Sequence, residues 1–140
     1  MAKCMNMKSF ISGLVLAAML AAPAAASAKA PLEGQWKNPK GNVIVRVAHC
    51  GENYCGTVVE ASAKAKATAK KGGTAQLIGT RILSDVRPAG NGTWRGRAFD
   101  PKRNIRAPAT IRMVGSSTLL IKGCVIGGLI CKEQRWTRIG

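Results

Sequence analysis

The sequence predicts an all-β domain of about eight short antiparallel strands, closed into an up-and-down barrel and preceded by a secretory leader. Three observations predict it. From Gly34 onward, β-branched runs of strand length alternate with glycine-containing breaks, and no long stretch keeps a helical period. Beyond the leader, Cys50, Cys55, Cys124 and Cys131 make an even set of cysteines, as expected of a chain oxidised outside the cytosol. The breaks between runs are short, so consecutive strands should pair in order. A meander of this kind removes its exposed edges most simply by closing on itself, with a two-sheet sandwich as the runner-up.

The leader is read from residues 1–28. Lys3 and Lys8 precede an apolar run from Phe10 to Ala22, and the small-residue stretch Pro23 to Ala28 ends on Ala26-Ser27-Ala28, an A-x-A cleavage site. The apolar run falls short of the roughly 20 residues a helix needs to cross a bilayer core, which argues against a permanent anchor. Cys4 lies before that run and so is not the lipid-accepting cysteine of a lipoprotein. A single domain over residues 29–140, periplasmic or secreted, is therefore expected.

Charge narrows the partners. Removing Lys3 and Lys8 leaves 20 basic against 6 acidic side chains, a formal net charge of +14. Such a surface seeks anions: an anionic membrane, an acidic polymer or an acidic protein, although solubility alone also explains it. Nucleic acid is disfavoured, because an exported protein rarely meets it and no RNP-type aromatic motif interleaves with the basic residues.

Gln35 to Asn38 opens the strand series. Asn42 to His49 carries Val43, Ile44, Val45 and Val47 and turns at Gly51 into Tyr54 to Glu60. Residues 61–73 change character, being Ala/Lys-rich with no side chain large enough to anchor a core, and read as a solvated loop or one frayed helical turn. Lys64, Lys66, Lys70 and Lys71 there form either a solvated run or an anion-binding arm. Strand-like runs resume at Leu77 to Val86, Thr93 to Phe99, Arg106 to Met113, Thr118 to Val125 and Ile130 to Ile139. Pro88 to Gly92, Asp100-Pro101 and Gly115 to Ser117 supply turns.

Three disulfide pairings are possible among four cysteines. Cys50 with Cys55 and Cys124 with Cys131 are preferred, since each pair brackets a glycine-containing turn and hairpin neighbours lie within disulfide reach. A zinc site is the sharper alternative, but gaps of four and six residues do not match zinc-ribbon spacing, and His49 is the only histidine. C-x-x-C, the redox motif, is absent.

Three tracts carry a resemblance: Gly34-Gln35-Trp36; Gly92-Thr93-Trp94-Arg95-Gly96 leading to Phe99-Asp100-Pro101; and Lys122-Gly123-Cys124 through Cys131 to Gln134-Arg135-Trp136-Thr137-Arg138. In that order and spacing the chain resembles the bacterial family of domain of unknown function 2147, across essentially all of the part after the leader. The resemblance implies an exported, lipocalin-like barrel with no established activity. The chain departs from the family after Asp100-Pro101, where Asn104 stands in place of the usual glycine; asparagine tolerates the left-handed backbone such a turn needs. The first tract is similar to the G-x-W that opens lipocalins, in which a late arginine packs across the tryptophan; Arg135 or Arg138 would fill that part. Trp36, Trp94 and Trp136 are read first as core and plug residues, and together with Arg138 they are the candidate ligand contacts.

No catalytic constellation is legible. His49 stands next to a cysteine without a nucleophile pattern, and Glu33, Asp85, Asp100 and Glu133 fall in separate segments. Neither G-K-[ST] nor G-x-G-x-x-G occurs, so no cofactor is expected, and no metal. The leading expectation is a non-enzymatic binding module, taking a small apolar or amphipathic, lipid-like ligand in the barrel with basic rim residues at its anionic head. The alternative is a solid-cored cationic protein docking on anionic envelope surfaces or an acidic partner.

Overall fold

In the computed structural model, which describes residues 31–140, eight strands close into one antiparallel barrel in sequence order. They are β1 (Gly34–Lys37), β2 (Val43–Cys50), β3 (Asn53–Ala61), β4 (Arg81–Gly90), β5 (Thr93–Asp100), β6 (Ile105–Val114), β7 (Thr118–Val125) and β8 (Ile130–Arg138). A single helix, α1 (Ala63–Lys71), interrupts the meander between β3 and β4. Closure comes from β1 pairing with β8, Trp36 opposite Arg138 and Lys37 opposite Thr137. The leader read over residues 1–28 lies outside the described residues.

Period-two alternation drives the wall. In β6, Ala107, Ala109 and Ile111 point inward while their neighbours face solvent. The same rule buries Val45 and Val47 of β2 and Leu119 and Ile121 of β7, whereas in β4 a register irregularity around Asp85 (φ 53°) brings Leu83 and Val86, three apart, both into the core. Tight turns take residues that accept a left-handed backbone: Asn91 and Gly92 join β4 to β5, a shorter turn than Pro88 to Gly92, and Asn104 (φ 54°) completes the turn after β5.

Residues 61–73 correct the sequence reading. Ala61 ends β3, Ser62 caps a nine-residue helix through its Oγ, which accepts from the Ala65 amide at 3.1 Å, and Gly72 closes it. Alanine and lysine are strong helix formers, and Lys70 and Lys71 lie where the helix dipole favours cations. The absence of large side chains is what seats the helix: Ala65 and Ala69, four apart on one face, are both buried against the barrel. A Cβ at Gly72 would overlap the Lys102 carbonyl, and Thr74 Oγ1 donates to the Pro101 carbonyl at 3.0 Å. The helix is thus locked onto the β5–β6 turn. Leu77 also differs from expectation; it is buried in the segment before β4, which is tethered to β3 by Val58 N–H to Thr80 O at 3.0 Å.

Both preferred disulfides are present, at opposite ends of the barrel. Cys124 and Cys131 oppose each other across β7 and β8. Cys50 and Cys55 bridge diagonally, since Cys50 opposes Asn53 and Cys55 opposes Ala48. The two bridges mark a chain matured in an oxidising, non-cytoplasmic compartment.

Candidate ligand-binding site

An up-and-down barrel sorts its connections by parity. The connections β2–β3, β4–β5 and β6–β7 lie at one end with the start of β1 and the end of β8; they contain Gly51-Glu52, Asn91-Gly92 and Gly115-Ser116-Ser117, and no basic residue. The other four lie at the opposite end and bring Lys40, the lysines of α1, and Lys102 with Arg103 together; Lys132 flanks the last. The lysines carried by the connections are therefore gathered at one end by strand order, while the exposed arginines Arg87, Arg95 and Arg112 lie on the strands near the other.

The first end is sealed. Trp36 is 0% exposed, and its Nε1 donates to the Leu32 carbonyl at 3.0 Å. The Arg138 guanidinium lies 4.3 Å from the Trp36 ring centroid and donates to the carbonyls of Glu33 (2.7 Å), Ser116 (3.0 Å) and Pro31. Gly34, at φ 138°, leaves room for this arrangement, because a side chain there would meet both Arg138 and Gly140. Between the two arginines left open by the sequence, Arg138 fills the part, and Arg135 is exposed.

The other end opens into a cavity of about 670 Å³. Its walls are mainly apolar: Val58, Leu83, Phe99 and Ile121 line it, Trp136 faces it from β8 with Glu133 and Gln134 beside it, and Ala65 and Ala69 of α1 cover part of it with Leu77. The Trp136 indole nitrogen donates to Gln134 Oε1 at 3.0 Å, so its polar atom is satisfied while the ring borders the cavity. Lys40, Lys102 and Lys132 stand on the rim.

These rim lysines are not neutralised. Among the described residues the ion pairs are His49 with Glu33 (3.3 Å) and Arg103 with Asp100 (2.9 Å), so the one carboxylate of the β5–β6 turn is already engaged. Burial holds the pKa of Lys102 below the usual lysine value, and the adjacent Lys40 amine and, less strongly, Lys132 add to that, against an opposing pull from Asp100. An anion placed there would relieve like-charge repulsion. No cluster of three or more His, Cys, Asp or Glu side chains suited to a metal ion occurs among the described residues.

The four candidate contacts therefore separate. Trp36 and Arg138 form the plug, Trp94 is buried in the β5 wall without lining the cavity, and Trp136 alone of the four borders it. The residues missed are Lys40, Lys102 and Lys132 at the rim and Ala65, Ala69 and Phe99 inside. Sorting the predicted turns by parity would have grouped the lysines; nothing local in the sequence marks the alanines.

Known proteins place the fold. The chain is similar to a solved structure, protein HP1028 from the human pathogen Helicobacter pylori, which belongs to the lipocalin family; identity is 14%, the TM-score is 0.60, and the match covers 78% of this chain and 83% of that one. Likeness at that identity establishes the lipocalin-like barrel and no more. No curated protein matches. Residues 34–138 match the family described as uncharacterized proteins conserved in bacteria (DUF2147), and the chain belongs to that family.

Proposed function

We propose that this protein is exported to the bacterial envelope and there binds one small amphipathic molecule, its apolar tail inside the barrel and its anionic head among Lys40, Lys102 and Lys132. The observation that carries this reading is the conjunction of an apolar cavity of about 670 Å³ with unpaired cations at its opening. That volume falls in the range of about 300–1,000 Å³ that holds small ligands. A solid-cored docking protein would need the cations but not the cavity. Export is proposed from the leader motif, with cleavage after Ala28, and is supported by the two disulfides. N-terminal sequencing of the periplasmic protein should begin at Lys29.

Native mass spectrometry of protein purified from the periplasm tests the binding. One co-purified amphiphile per chain, exchangeable for a long-chain carboxylate, is expected. Bare protein that also fails to take up added long-chain carboxylates would sink the proposal.

A further inference from the structure

The β7–β8 hairpin ends in an apolar tip beside the cationic rim. Ile126, Leu129 and Ile130 are 65%, 83% and 56% exposed, and Ile105, at the start of the neighbouring strand β6, is 44% exposed. Just below the tip, the Cys124–Cys131 disulfide and the Val125–Ile130 pair hold the hairpin in register. The tip therefore presents these side chains from a tethered base.

Its backbone makes the choice of residue informative. Ile126, Gly127 and Gly128 have φ of 54°, 59° and 86°. Among the described residues, the other non-glycine positions in this region are Asp85, Asn91 and Asn104, types that tolerate it well. A β-branched residue there is conformationally costly. At 65% exposure, Ile126 gains little from packing and nothing in solubility. Something outside the molecule has to reward it.

We infer that the open end of the barrel docks on an anionic lipid bilayer, with Ile126, Leu129 and Ile130 entering the headgroup–acyl boundary and the surrounding lysines meeting lipid phosphates. Charge complementarity selects this occupant. All the lysine-bearing connections lie at this end and none at the sealed end, so the tip and the cationic ring face one surface together. The tip is a convex aliphatic wedge with Gly127-Gly128 at its apex and lacks the Trp, Tyr and Arg anchors that dominate protein–protein interfaces. Val125 and Ile130 also line the cavity, so docking turns the opening toward the membrane. Docking needs no occupied cavity and stands or falls apart from ligand binding.

The test is vesicle co-flotation of the protein purified from bacteria expressing the full chain. Vesicles of phosphatidylglycerol and phosphatidylethanolamine are compared with pure phosphatidylcholine. Binding to the anionic vesicles alone, weakening steeply as salt rises, is expected. Ile126→Gly should leave the melting temperature unchanged or raised, since it removes the backbone cost, while lowering vesicle partition at least fivefold. Leu129→Ser should lower it similarly, and neutralising Lys102 by Lys102→Gln about fivefold. Equal binding to phosphatidylcholine, or partition indifferent to both tip variants, would overturn the proposal. So would tip variants that abolish self-association in sedimentation while leaving flotation intact, because the tip would then be a contact between copies.

Discussion

The two ends of this barrel are made by the same strands yet solve opposite problems. At the sealed end, a tryptophan, an arginine and four backbone carbonyls satisfy one another. At the open end, mainly apolar walls surround empty space, and Lys40 and Lys102 face each other with no ion-pair partner among the described residues. Saturated contacts stabilise the fold; unsatisfied ones define where it acts. Variants should accordingly separate into those that unfold the protein and those that alter binding.

The largest effect is expected at the plug. Trp36→Ala removes a fully buried indole and its hydrogen bond and should cost about 3–5 kcal/mol, read as a large fall in melting temperature. Affinity for a long-chain carboxylate, measured on the fraction that remains folded, should barely change. A comparable loss of affinity would erase the distinction between the ends.

The disulfides come next. Both close short loops, so replacing either pair with serine should cost about 2–2.5 kcal/mol by denaturant titration. Losing Cys124–Cys131 should also weaken ligand binding, because that bridge holds a cavity wall, whereas losing Cys50–Cys55 should not.

Smaller effects belong to the rim. Lys40→Gln combined with Lys102→Gln should weaken binding of a long-chain carboxylate about tenfold, or about 1.4 kcal/mol, with an unchanged or raised melting temperature. The pH dependence follows from the lowered pKa of Lys102. An anion prefers the protonated amine, so affinity falls as pH rises through that lowered value, earlier than for a solvated lysine. The alkaline loss should be blunted in the double variant. Smallest per step is tail length: each added methylene should gain about 0.8 kcal/mol until the cavity is filled, by calorimetric titration of a homologous carboxylate series.

Much of the fold was legible because β structure writes itself locally. Alternation marked the strands, glycine and asparagine marked the turns, and Gly34-Gln35-Trp36 with a late arginine marked the seal. Residues 61–73 escape a reading that equates core membership with side-chain size, because Ala65 and Ala69 are small yet buried, on the helix face turned to the cavity. The site was less legible than the fold for a similar reason. Aromatic residues attracted the ligand assignment, yet two of the three tryptophans belong to the plug and the wall. Lys40 and Lys102 are 62 positions apart in the chain and meet only because odd-numbered connections share an end.

If the cavity beside Trp136 receives an acyl-like tail, contact quenching will register it. Titrating a long-chain carboxylate brominated along its tail should quench tryptophan fluorescence saturably at one equivalent, and Trp136→Phe, still binding by calorimetry, should lose most of that quenching. Quenching unchanged in Trp136→Phe, or absent from the unmodified protein at saturating ligand, would contradict it.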